Sequence, residues 1–192
     1  MIDPDNILNF AATTAELEEL VLFWVAAAGH NAHSTARALE RFLGPRCRSP
    51  FAKLRRLPAD ELPRRLQSCG FGCYTQRARS FRWLAFSRLD LRTCTVEELV
   101  ACPGIQWKTA KAFILYTRPG ESHIIIDRHF LAYMREAGYR AVPKASPKAI
   151  KQYTYWELRG FDEARHLQLS PLEFDQRFWL ARRRGLAIRQ TA

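Results

Sequence analysis

The sequence predicts an all-α fold. Apolar residues recur at three- and four-residue intervals through most of the chain, and Ser, Thr and Asp caps with Pro and Gly stops divide it into helix-length segments. No stretch sustains the strict alternation of a half-buried strand. About ten helices result from this reading. At 192 residues, 47% of them apolar, with twelve Phe and five Trp, the chain can build one substantial core or two small lobes that share an interface.

The first helix opens after a loose arm, Asp3 to Asn9, on a cap within Thr14-Ala15-Glu16-Leu17. It repeats Leu17, Leu20, Val21, Trp24, Val25 and Ala28 before Gly29 stops it. The polar corner His30-Asn31-Ala32-His33-Ser34 leads to a second helix, Thr35 to Leu43, which Gly44-Pro45 ends. Ser49-Pro50 caps a third helix through Leu54 and Leu57, and Pro58-Ala59-Asp60-Glu61-Leu62 begins a fourth that runs to Ser68. Gly70-Phe71-Gly72 precede a fifth helix, with Arg79, Arg82 and Arg88 facing outward and Phe81, Leu84 and Ala85 inward. Thr95-Val96-Glu97-Glu98 is a capping box for a short helix that buries Leu99 and Val100.

Pro103-Gly104 stops that short helix, and a new helical pattern begins within three residues, from Trp107-Lys108 to Leu115. The form is helix, tight hairpin, helix. The apolar triplet Ile124-Ile125-Ile126 then delivers Asp127, with no partner run to make it a strand. A helix through Phe130, Leu131 and Met134 ends near Gly138, and Val142 to Pro147 is a turn-rich connector. Two further helices follow, Pro147 to Leu158 and Pro171 to Arg183. Their aromatic residues Tyr153, Trp156, Phe174, Phe178 and Trp179 read as packing against the first helix rather than stacking on bases. Arg182-Arg183-Arg184 reads as a solvated helix end, and the tail from Leu186 as frayed.

Thirty Lys plus Arg against 19 Asp plus Glu give a net charge of +11. Such an excess suits a polyanionic partner and equally a merely basic surface. No apolar run reaches the roughly 20 residues of a membrane span. Asp3, Asp5, Glu16, Glu18 and Glu19 make the N-terminal region acidic, unlike a secretory or transit signal. The expectation is a cytoplasmic monomer of a bacterial or phage-infected cell, with no membrane partner. Cys47, Cys69, Cys73, Cys94 and Cys102 have no zinc-type paired spacing and read as reduced thiols, mostly buried.

The stretch from Leu99 to Phe130, with Gly70-Phe71-Gly72-Cys73-Tyr74-Thr75-Gln76-Arg77-Ala78 upstream, resembles the helix-hairpin-helix DNA glycosylases. These are the superfamily of endonuclease III, the 8-oxoguanine glycosylases and the adenine-mismatch glycosylases. Their shared pattern is a Leu-Pro-Gly-Val-Gly-x-Lys-like hairpin, an Asp about a helix and a turn later, and an upstream Gly-x-Tyr-x-x-Lys-Ala. The resemblance runs from residue 15 to residue 135.

By that resemblance the fold is two-lobed. Residues 30–126 form a middle lobe ending in the hairpin, residues 1–29 plus 127–192 form the other, and the target base flips into the cleft between them. Lys108 falls on the catalytic lysine of the bifunctional members and Asp127 on their general aspartate. Gly104, Gln106 and Trp107 of the hairpin, with Arg77 and Arg128, fall on the backbone of double-stranded DNA. His30, Asn31 and Tyr74 fall at the base pocket. No cofactor or metal is implied, because no cysteine follows Cys102 to supply the four-Cys iron–sulfur loop of endonuclease III relatives.

The chemistry fits the residue types. A glycosidic bond breaks through a cationic sugar, which a fixed carboxylate stabilises and an amine captures at C1′. Asp127 follows three Ile that desolvate it, and Lys108 opens a helix whose dipole works against an ammonium. The 19 residues from Lys108 to Asp127 leave room for one helix and a return loop. Each residue also has a plain structural reading. Lys108 is then an exposed helix lysine, Asp127 and Asn31 are helix caps, and Gly70 and Gly72 form a turn.

Two departures stand out. Gln106 replaces the family's second hairpin Gly, and Asp127-Arg128-His129 replaces Asp-Thr-His, with Arg128 offered either to the carboxylate or to a phosphate. The resemblance also extends to phage amino acid:DNA transferases, which add an amine to an activated thymine, and hairpins of this kind also serve as silent duplex-binding modules.

Overall fold

A computed structural model of the chain describes residues 2–45 and 47–183, without the side chains of residues 179, 182 and 183. The readings at Trp179, at Arg182 to Arg184 and in the tail from Leu186 therefore lie outside the described residues. The described residues are helical and contain no strand, as the sequence predicts. They divide into two compact units, Met1–Pro119 and Gly120–Ala192.

The first unit holds α1 (Thr14–Ala27), α2 (Ala32–Leu43), α3 (Pro50–Arg56), α4 (Glu61–Ser68), α5 (Tyr74–Phe86), α6 (Val96–Val100) and α7 (Trp107–Thr117). The cap of α1 is Thr13, one residue earlier than expected. Glu16 stands three residues beyond Thr13, and their side chains bond each other's backbone N–H in a capping box. An unbroken run from Leu20 to Ala26 is buried, so α1 is apolar on every face. It packs against α2, α3, α5 and α7. Its buried Glu18 accepts from Ser49 Oγ at 3.1 Å and from the Phe51 N–H at 3.0 Å, which anchors the start of α3.

Helix α2 starts at Ala32 rather than Thr35, because Asn31 takes the capping role that its residue type allowed: its Oδ1 accepts from the Ser34 N–H at 3.0 Å. Helix α5 follows its expected sidedness. Phe81, Leu84 and Ala85 are fully buried, Arg79 is exposed, and Arg82 is half-buried with its guanidinium 4.8 Å above the Phe86 ring; Arg88, also exposed, lies beyond the end of the helix. Phe81 meets the rings of Phe42 and Phe71 at 6.4 and 6.0 Å, joining α2 and the turn before α5 into one core.

The second unit holds α8 (Arg128–Glu136), α9 (Ile150–His166) and α10 (Pro171–Arg183). Phe130 and Tyr133 of α8 pack edge-on against Phe174 of α10, at 6.4 and 5.8 Å. Tyr133 and Tyr139 both donate to the carboxylate of Glu163 on α9, at 2.6 and 2.7 Å. Helix α9 runs well beyond Leu158, through Gly160. A Cβ there would lie 2.5 Å from Ile124 Cγ2 and 2.9 Å from Phe130 Cε2, so Gly160 marks a close approach and not a stop. Only Cys94 and Cys102 are buried, which corrects the expectation for Cys47, Cys69 and Cys73.

Replacing Phe81 by Ala removes the ring at the centre of the first unit's core. The expected loss of stability is about 3–5 kcal/mol in urea unfolding. A loss under about 1 kcal/mol would show that the core lies elsewhere.

Candidate functional site

The hairpin between α6 and α7 is built by short-range turn chemistry. The Ile105 N–H donates to the Cys102 carbonyl at 3.0 Å, with Pro103 and Gly104 between them and Gly104 at φ +87°. This is a turn with Pro at its second position and Gly at the third, where a left-handed residue is required. Gln106 sits at φ −114° and ψ 168°, ordinary extended backbone, so the position has no need of glycine and the departure leaves the turn tight.

Helix α5 holds this hairpin in place. The buried Ser80 hydroxyl donates to the Pro103 carbonyl, and a Cβ on Gly104 would lie 2.9 Å from Ser80 Oγ. Cys102 is buried beside them, and burial pushes its thiol up to about 12. No side-chain oxygen caps α7. Its first turn presents exposed Gln106, half-buried Trp107 and half-buried Lys108. Backbone amides at such a helix start, beside a lysine, suit an anion. Among the described residues no hydrogen bond or ion pair occupies the Lys108 ammonium.

The start of α5 carries the second group. Cys73 precedes it in the left-handed region at φ +46°, and half-buried Tyr74 is its first residue. Arg77 is 5% exposed, and its guanidinium donates to the carbonyls of Ala26 and Gly72. It also lies 5.6 Å from the centre of the Phe71 ring. The expectation that Arg77 reaches a DNA phosphate is therefore corrected: carbonyls of the protein's own backbone occupy it, away from solvent.

His30 stands beside this turn, its Cε1 3.0 Å from the place of a Cβ on Gly72. Burial and then the charge of Arg77 lower its pKa below the ordinary 6.5, so the imidazole is uncharged at neutral pH. Asn31 is exposed but spends its Oδ1 on the cap of α2. The first unit thus gathers His30, Tyr74 and the hairpin residues around the N-terminal half of α5.

In the second unit Asp127 is the N-cap of α8. Its Oδ1 accepts from the N–H groups of His129 and Phe130 at 2.7 and 2.9 Å. Arg128 is exposed and makes no ion pair with Asp127 among the described residues; its Nε donates to His129 Nε2 at 3.1 Å. Among the described residues no group of three His, Cys, Asp or Glu is placed to hold a metal ion. Among the described residues no helix is long and apolar enough to cross a membrane.

Solved structures match the chain over most of its length. The 8-oxoguanine DNA glycosylase of Thermotoga maritima matches at 27% identity and a TM-score of 0.65, over 88% of this chain and 80% of its own. The 8-oxoguanine DNA glycosylase of Methanocaldococcus jannaschii matches at 19% identity and a TM-score of 0.68, over 94% of this chain and 84% of its own. The same archaeal glycosylase/lyase in complex with a 15mer DNA containing 8-oxoguanine matches at 20% and 0.68, over 91% and 84%. The chain has the helix-hairpin-helix DNA glycosylase fold. No protein-family model and no curated protein matches it.

Within the helix-hairpin-helix glycosylase fold, the residues that sequence reasoning missed are Ser80, which seats the hairpin, and the buried use of Arg77. Ser80 had one visible signal, a hydroxyl on the inward stripe of α5 among Phe81, Leu84 and Ala85.

Two arginines separate structure from contact. Arg77→Met leaves the buried Ala26 carbonyl and the part-buried Gly72 carbonyl without their donor, with an expected loss of about 2–3 kcal/mol and an unchanged salt slope of DNA binding. Arg128→Ala leaves stability intact and lowers that slope by about 1. Thermal unfolding and binding titrations at several salt concentrations read both outcomes.

Proposed function

We propose that this chain is a base-flipping DNA glycosylase with lyase activity, in which Lys108 is the amine nucleophile and Asp127 the carboxylate that stabilises the cationic sugar. The observation that carries the reading is the Lys108 ammonium. It stands in the first turn of α7, directly behind a Pro-Gly hairpin, with no partner among the described residues. The likeness to 8-oxoguanine glycosylases supports the reaction class and makes an oxidised purine the first base to offer.

The steps follow from the residue types. Once it has given up a proton, Lys108 Nζ attacks C1′ of the flipped nucleotide. The N-glycosidic bond breaks, its electron pair leaves with the base, and the base takes up a proton. The carboxylate of Asp127 offsets the positive charge on the sugar as that bond lengthens. The second amine proton passes to O4′ as the C1′–O4′ bond breaks, and the nitrogen lone pair forms the C=N bond of a protonated imine. Removal of a C2′ proton then expels the 3′ phosphate by β-elimination, and water releases the lysine. In this reading the hairpin amides and Arg128 hold phosphates, and His30 and Tyr74 contact the extruded base.

Asp127 serves both as a cap and as the reactive anion, because the cap uses one oxygen. Oδ1 takes both amides of α8, and this fixes the direction in which Oδ2 points.

Borohydride added to the protein with a duplex containing 8-oxoguanine is expected to trap a covalent complex. Lys108→Gln abolishes the complex and strand cleavage, and Asp127→Asn lowers single-turnover excision by about 10²–10³-fold with DNA affinity retained. Incorporation of an amine into an activated thymine with every glycosidic bond intact would replace this reading by a transferase. Binding without turnover on any modified base would reduce the chain to a DNA-binding module.

A further inference from the structure

Ile124, Ile125 and Ile126 are 1%, 4% and 0% exposed, so their peptide groups are removed from water in a segment that belongs to no sheet. Buried peptide groups require partners. The side chains of α9 provide them. Tyr153 is fully buried, and its hydroxyl donates to the Ile124 carbonyl at 3.1 Å while accepting from the Ile126 N–H at 3.2 Å. These two groups point to the same side of an extended segment, so one phenol takes the place of a neighbouring strand. Glu157, one turn further along α9, accepts from the Ile124 N–H at 3.4 Å. Gly160, three residues on, lets Ile124 lie against the helix.

Positions 153, 157 and 160 form one stripe of α9, at the i, i+4, i+7 spacing of a single helical face. The Asp127 N–H then donates to the Ile125 carbonyl at 3.0 Å, which closes the turn from this segment into the cap of α8.

We propose that Tyr153 and Glu157 are positioning residues for Asp127: by binding the backbone of Ile124 and Ile126, they fix the segment that aims its carboxylate. The proposal rests on the reading of Asp127 as the reaction's anion. Its chemical content is local. Phenylalanine would fill the same space as Tyr153 and pack as well, but it would leave the Ile126 N–H and the Ile124 carbonyl without partners beside the reactive residue. Burial pushes the Tyr153 phenol far up, so the hydroxyl keeps the proton that it donates to Ile124. An error in placing Ile126 passes directly to Asp127, and catalytic groups tolerate little displacement.

Tyr133 provides the control. It is also a buried tyrosine whose hydroxyl bonds a carboxylate of α9, that of Glu163. Tyr153→Phe is expected to lower single-turnover excision of the base by about 10-fold or more, with the DNA dissociation constant unchanged. It should raise amide hydrogen exchange at Ile126 and, through a loosened Asp127 cap, at His129 and Phe130 by about 10-fold. Tyr133→Phe should lower the melting temperature similarly and change neither quantity. Glu157→Leu should reproduce the Tyr153→Phe pattern with Ile124 as the exposed amide, and Glu157→Gln, which keeps an acceptor, should restore it. This pair decides the matter if Tyr153→Phe does not fold.

Equal excision losses in Tyr153→Phe and Tyr133→Phe would overturn the proposal. So would faster exchange at Ile126 with His129 and Phe130 unaffected. If the unaltered protein excises no base, the reading of Asp127 fails while exchange at His129 and Phe130 still decides whether α9 positions it.

Discussion

The buried guanidinium of Arg77 is the interaction on which the first unit depends. A charge removed from water is destabilising by several kcal/mol unless other groups replace its hydration, and no carboxylate pairs with this one among the described residues. Carbonyls do the work instead. Ala26 lies in the last turn of α1, where carbonyls lack helical partners and the dipole is negative, and Gly72 lies in the turn that starts α5. A side chain that reads as a DNA contact thus ties the most apolar helix to the helix around which the candidate residues gather. His30, just beyond α1, is held beside the same turn, and the nearby positive charge helps to keep its imidazole neutral.

Both units use one device. A helix that packs with its apolar stripe also carries polar side chains that satisfy the backbone of an adjoining irregular segment. In the first unit Ser80 of α5 bonds Pro103 of the hairpin. In the second, Tyr153 and Glu157 of α9 bond Ile124 and Ile126. The reason is common to both: a turn or an extended run placed against a core has peptide groups that no helix or sheet satisfies. The residues proposed to react follow those segments directly, Lys108 after the hairpin and Asp127 after the triplet. Their backbones therefore inherit the rigidity of the packed helix and not the mobility of a surface loop.

What the sequence made legible was whatever residues close in the chain decide. Pro103-Gly104, the Thr95-Glu98 capping box, the Ser49-Pro50 start and the cap at Asp127 each rest on contacts within a few positions. The roles that escaped it join distant positions: Arg77 to Ala26 across 51 residues, Ser80 to Pro103 across 23, Tyr153 to Ile124 across 29. Periodicity places such side chains on an inward face but cannot name their partners. Gly160 illustrates the same limit, since a glycine that lets Ile124 approach looks, in sequence, like the end of a helix.

The two departures from the glycosylase pattern are physically mild. A second glycine in the hairpin would matter if its position required a left-handed backbone, but Gly104 alone carries that conformation and Gln106 is extended. Any residue adopts that backbone, so Gln106 costs the turn nothing and adds an exposed amide beside the uncapped start of α7. Arg128 would blunt Asp127 if the two formed an ion pair. Instead Arg128 turns to His129, and the carboxylate's Oδ1 faces the amides of α8. Both departures therefore change what the surface offers to a polyanion while leaving ordinary backbone at Lys108 and Asp127, the two positions proposed to react.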